Sequence, residues 1–84
     1  MSDLLPHFQA VGSDLYSRGM VSVHGGNLSV RHENSLFITR SGSRLGYLSE
    51  PDLITTGLER DDENTRLASS ELQVHRAIYR QGLF

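Results

Sequence analysis

The sequence predicts an α/β chain in the order helix, three strands, helix. Three observations carry this: an apolar stripe at helical spacing near the start, short β-rich runs separated by turn signals in the middle, and a second stripe at helical spacing near the end. Leu4, Phe8, Val11 and Leu15 follow i, i+4, i+7, i+11 spacing, so they line one side of a first helix that ends near Arg18 and Gly19. Next, "MVSVHGGNLSVR" is an apolar, β-branched segment broken by Gly25-Gly26-Asn27, and "NSLFITRSG" is a second β-rich run. Strands on either side of "RHENS" make a hairpin. In "LSEPDLITTGL", Ser49 stands three residues before Asp52 with Pro51 between them, which predicts a single helical turn. A third strand then covers roughly Leu53 to Leu58, and the charged run "ERDDENTR" is expected to be a solvated loop. The last helix, about Ser70 to Arg80, places Leu72, His75 and Ile78 or Tyr79 on one face.

At 84 residues there is room for one small domain of marginal stability. Hydrophobic residues make up 37% and charged residues 21% of the chain, which suits a folded segment. The net charge of -2, with both signs interspersed, argues against a nucleic-acid partner, which requires basic residues gathered on one face. With no cysteine, disulfides and thiolate metal sites are excluded. The N-terminus lacks the basic start and apolar core of a secretory signal, and no run reaches membrane-spanning length. A soluble, cytoplasmic protein with no membrane partner is therefore expected.

Three donor-rich turns are the candidates for chemistry. Gly25-Gly26-Asn27 follows a strand-like segment, where adjacent glycines let successive backbone N–H groups turn inward around an anion. "RSGSR", residues 40–44, surrounds Gly42 with hydroxyl donors, and Ser69-Ser70 opens the last helix, whose N-terminus favours negative charge. Each has a plain structural alternative: a sheet connection, an ordinary turn, a helix N-cap. Glu71 in the first turn is favoured by the helix dipole whatever its role, and as a functional group it can bind a cation or transfer a proton. Glu71 and His75, at i, i+4, share a face and a metal is conceivable between them, but a packed or hydrogen-bonded helix histidine is the preferred reading. His7, His24 and His32 are scattered and form no ligand pattern.

Taken in succession, "HGGNLSVR", "LFITRSGSRLGYLSEPDLI" and "SSELQVHRAIY" resemble the N-terminal part of the class II aldolase/adducin family, with Gly-Asn-x-Ser, Ile-Thr-x-Ser-Gly and Ser-Ser-Glu in order. The resemblance runs from about Leu4 to Arg80. It implies an α/β/α layered class II aldolase-like fold with a mainly antiparallel central sheet, of which residues 1–84 hold the N-terminal helix, strands and helix of a single domain. It also implies a homo-oligomer, commonly a tetramer, acting on a phosphorylated sugar with Zn2+ as cofactor. Matched residue by residue, Gly26, Asn27, Ser41, Gly42, Ser69 and Ser70 fall on the family's substrate-phosphate pocket, and Glu71 on the carboxylate that lies at the zinc and serves as acid/base.

The chain departs from the family at two positions in these motifs. His24 replaces a hydroxyl residue, and Arg40 stands where Pro is frequent. The family's zinc histidines are expected beyond Phe84, so the chain reads as the N-terminal fragment of a zinc-dependent enzyme that carries out reversible aldol cleavage, or epimerase or dehydratase chemistry, and as inactive by itself. A non-catalytic, adducin-like interaction module or a truncated remnant is the alternative. A fragment is also expected to leave Leu53, Leu72 and Ile78 uncovered.

Overall fold

The computed structural model describes residues 4–19 and 26–81. The first helix, α1, spans Leu5–Ser17 with Pro6 in its first turn, where a missing N–H costs no helical bond. It stops as the sequence predicts: Arg18 donates to the Asp14 carbonyl at 3.1 Å, and Gly19 takes φ 70°, a left-handed value natural to glycine. Its buried side differs from the simple stripe. Phe8 and Gly12 are buried, Leu4, Leu5 and Leu15 pack beside them, and Val11 is 49% exposed. The cause lies at Gly12, where an added Cβ would clash with the Leu45 carbonyl oxygen; the missing side chain lets a one-turn helix at Leu45–Tyr47 press onto α1 and draw its contact face away from Val11.

Three antiparallel strands follow in the order β1 (Ser29–His32), β2 (Ser35–Thr39) and β3 (Leu53–Gly57). The expected hairpin is present, closed by the pair His32 and Ser35 with Glu33 and Asn34 at its tip. The predicted helical turn is also present at Glu50–Asp52, where the Asp52 carboxylate accepts from the Ser49 N–H at 2.9 Å. Of the segment expected as the first β-rich run, residues 20–25 lie outside the described residues, His24 and Gly25 among them.

β2 sets Leu36 and Ile38 on one face, against Thr56 and Ile54 of β3. That face packs on Leu58, Ala68 and Leu72, with Leu67 and Tyr79 alongside. The other face gives Phe37 and Leu53 to a cluster with Phe8, Leu45 and Leu48 under α1. The sheet is therefore covered by α1 on one side and by the second helix, α2 (Leu72–Arg80), on the other, which is the layered α/β/α arrangement expected.

Three expectations are corrected. Leu53 and Leu72 are 6% and 4% exposed, so this chain already covers them, while Ile78 is left 41% exposed. On α2 the inward residue after Leu72 is Arg76, only 2% exposed, with Tyr79 rather than Ile78 packed on the core. The acidic run is not merely solvated: Asp61 pairs with Arg76 at 2.6 Å, and Asp62 accepts from the Thr56 hydroxyl at 2.9 Å and the Asn64 N–H at 2.9 Å. A buried arginine demands partners, and this loop supplies them: the Gly57 and Arg60 carbonyls accept from the same guanidinium at 2.9 and 3.0 Å.

Candidate functional site

Thr39 ends β2 and is 1% exposed. Its N–H donates to the Leu28 carbonyl at 3.0 Å, and its Oγ1 accepts from the Leu28 N–H at 3.2 Å. Its own carbonyl accepts from the Ser69 N–H at 2.9 Å. One step on, the Ser41 N–H donates to the Leu67 carbonyl at 2.9 Å. Four hydrogen bonds thus draw together three segments distant in sequence: the glycine loop before β1, the turn after β2 and the approach to α2. Sequence reasoning misses Thr39 as a site residue, although it is the threonine of the Ile-Thr-x-Ser-Gly motif.

Between these segments lies a cavity of about 200 Å³. The first segment contributes Gly26 and Asn27, the second Arg40, Ser41, Gly42 and Ser43, the third Ser69, Ser70 and Glu71. All seven residues singled out from sequence therefore line one concavity, joined by Arg40 and Ser43. Gly42 takes φ 79°, which the tight turn requires and which would strain any residue with a side chain. The turn closes through Ser43, whose N–H and hydroxyl both donate to the Arg40 carbonyl, at 3.0 and 2.7 Å.

The Ser-Ser-Glu triplet divides its work differently from a simple serine cap. Position N-cap of α2 is Glu71, and Ser69 Oγ accepts from the Glu71 N–H at 3.2 Å. Ser70 is exposed, and its hydroxyl has no hydrogen-bond partner among the described residues. The same holds, among the described residues, for the Ser41 hydroxyl, the Arg40 guanidinium and the Glu71 carboxylate, all lining the cavity. The site thus combines unpaired hydroxyl donors and one cation with one carboxylate at the start of a helix, a set suited to an anionic ligand that exchanges a proton.

His75, one turn into α2, faces away from a metal role. Its Nε2 is hydrogen-bonded to Asn27 Oδ1, and its Nδ1 lies 2.6 Å from Ser29 Oγ. Burial lowers its pKa below the ordinary 6.5, against a weaker opposing pull from the Glu71 carboxylate, so the ring is neutral at pH 7. With both ring nitrogens engaged, His75 has none left to share an ion with Glu71. Among the described residues no three His, Asp or Glu side chains group as metal ligands, so these residues do not by themselves fit a zinc ion. Among the described residues, no helix is long and apolar enough to cross a membrane.

Comparison with known proteins shows the family to which the chain belongs. Residues 7–82 match the family described as the Class II Aldolase and Adducin N-terminal domain. The L-fuculose phosphate aldolase of Methanococcus maripaludis (strain C5) is 36% identical over 75 residues, 89% of this chain and 41% of that protein. That of Methanocaldococcus jannaschii is 36% identical over 67 residues, 80% of this chain and 36% of that protein. The crystal structure of L-fuculose-1-phosphate aldolase from Thermus thermophilus superposes with a TM-score of 0.83 at 38% identity, covering 95% of this chain and 40% of that one. The chain spans about two fifths of the length of the curated relatives it matches.

Proposed function

Since the chain belongs to the class II aldolase and adducin N-terminal domain family, we propose that it is the N-terminal part of an enzyme that cleaves a phosphorylated sugar by a reversible aldol reaction. The observation that carries this reading is the single cavity shared by Asn27, Ser41, Gly42, Ser70 and Glu71. A phosphate held there would be met by hydroxyl and amide donors, by the Arg40 cation and by the α2 N-terminus. Ser69, whose hydroxyl already accepts from the Glu71 N–H, would fix the shape of that wall, and Gly26, at φ 85°, would let the backbone turn under the ligand.

Cleavage breaks the carbon–carbon bond between the hydroxyl-bearing carbon and the carbon next to the ketone. The hydroxyl loses its proton as an aldehyde forms, and the enediolate left behind must be protonated. Glu71 is the acid/base in this reading, carrying the proton at the reacting end while the phosphate anchors the other. A divalent metal, Zn2+ in the family resemblance, would supply charge stabilisation to the enediolate. Its ligands would have to come from beyond the described residues. A longer parent, assembled as a homo-oligomer, completes this proposal, and the 84-residue chain alone is expected to be inactive.

The test uses such a parent. Ser70→Ala removes a donor to a charged acceptor and should raise KM by about tenfold or more with little change in kcat. Glu71→Gln keeps the shape but not the proton, and should lower kcat by about a hundredfold or more. On the phosphate-free sugar, Ser70→Ala should leave the weak turnover unchanged and Glu71→Gln should still abolish it. If both variants changed only thermal stability, the triplet would be an ordinary helix start and the proposal would fail.

A further inference from the structure

Asn27 lies between two concavities. One is the cavity it shares with Ser41, Ser70 and Glu71; the other, about 290 Å³, is lined with His75, Ile78 and Tyr79. The two ends of its amide are chemically opposite, since Oδ1 accepts and Nδ2 donates two hydrogens. Oδ1 is bonded to His75 Nε2, on the side of the second concavity, and Nδ2 has no hydrogen-bond partner among the described residues. We propose that His75 is a positioning residue that holds the Asn27 amide by its carbonyl, so that the NH2 group and not the oxygen is offered to an anion in the first cavity. The proposal rests on reading that cavity as the phosphate site.

The remaining contacts explain why the imidazole can do this. A carbonyl oxygen at Nε2 makes that nitrogen the protonated one, so Nδ1 must accept. Ser29 Oγ, 2.6 Å away, is the donor. The Tyr79 hydroxyl lies 3.0 Å from Ser29 Oγ and 3.1 Å from the Ser29 carbonyl, which leaves it free to donate to either while the Ser29 proton goes to the ring. Tyr79, Ser29, His75 and the Asn27 amide therefore form one self-consistent set of donors and acceptors, in which the Nε2–H tautomer and the amide orientation go together. The opposite tautomer would accept at Nε2, turn the amide over and point Oδ1 at the anion, converting an attractive contact into a repulsive one. Ser29 and Tyr79 thus support the His75 ring that holds Asn27, without touching the anion.

The experiment is NMR on the full 84-residue chain with inorganic phosphate as the probe. Ring nitrogen shifts should report the Nε2–H tautomer of His75, and the amide signals of Asn27, Ser41 and Ser70 should respond to phosphate with saturation. His75→Leu, which removes both ring contacts, should weaken phosphate by about tenfold or more, whereas His75→Gln, which keeps an N–H donor within reach of Asn27, should retain most of the affinity. An Nδ1–H tautomer, or a folded His75→Leu variant that binds phosphate as well as the unsubstituted chain, overturns the positioning role alone. Should His75→Leu fail to fold, the tautomer and the glutamine variant still decide. Absence of any phosphate response in the unsubstituted chain overturns the phosphate reading of the cavity and this inference with it.

Discussion

Arg76 is the residue whose environment departs furthest from its chemistry: its side chain is 3% exposed, its guanidinium donates to the Gly57 and Arg60 carbonyls, and it is paired with an Asp61 side chain that is itself 73% exposed. Arg76→Met keeps the bulk but strands two carbonyls, and should cost about 1–3 kcal/mol in urea melts. Asp61→Asn touches only the solvent-screened end and should cost less than about 1 kcal/mol. Equal losses would mean that the ion pair, not the carbonyl bonds, holds the loop. Two neighbouring titrations carry a sign. Burial alone would raise the Asp62 carboxyl, but hydrogen bonds from Thr56, Asn64 and Thr65 outweigh it and hold its pKa below the ordinary 3.8, so its stabilisation is present above that pH and is lost as pH falls through the lower folded value. His75 is likewise depressed from 6.5, by burial: the folded state resists the proton the unfolded chain accepts, so stability should decline as pH drops from 6.5 toward the folded pKa. Thermal melts from about pH 8 to about pH 5 should show this decline, and His75→Gln should remove it.

At the scale of elements, the seam between α1 and the Leu45–Tyr47 turn depends on the absence of one side chain. Gly12→Ala would gain helix propensity yet drive a Cβ into the Leu45 carbonyl, so it should destabilise the chain by about 1–3 kcal/mol. Val11→Ala, on the neighbouring exposed position, should stay within about 0.5 kcal/mol. Denaturant midpoints of the two variants check this, and a stabilised Gly12→Ala would show that the two elements separate without cost. The strands and turns were legible because their signals are local: Gly19 stops α1, Ser49 and Asp52 cap one turn, and a β-rich run bounded by turn residues marks β2. The buried sides of both helices were less legible. Apolar spacing does not weigh a glycine that admits a neighbour or an arginine that finds carbonyls, and those two residues set the contact faces.

At the scale of the whole molecule, two helices flank a three-stranded sheet whose middle strand is packed on both faces, with Leu36 and Ile38 fully enclosed. Leu36→Ala should therefore cost about 2–5 kcal/mol, and a loss under about 1 kcal/mol in thermal or urea unfolding would mean that the layers are loosely packed. For zinc, equilibrium dialysis of the 84-residue chain should leave well under one ion per chain, because among the described residues no three ligands converge. Stoichiometric retention would contradict that.

By itself the sequence determined the order of elements and the family resemblance, and it offered the small residues and the carboxylate as candidates. The element order and the candidates follow from local rules, periodicity, turn chemistry and residue type, while the roles of the candidates are what the resemblance implies. Only the tertiary structure decided that Gly26, Ser41 and Ser70, far apart in sequence, share one cavity, that Arg40 and Ser43 join them, and that His75 is hydrogen-bonded to Asn27. The reason is physical. A hydrogen bond spanning 48 residues in sequence, as between Asn27 and His75, depends on how both helices pack on the sheet, and local patterning along the chain does not encode that placement.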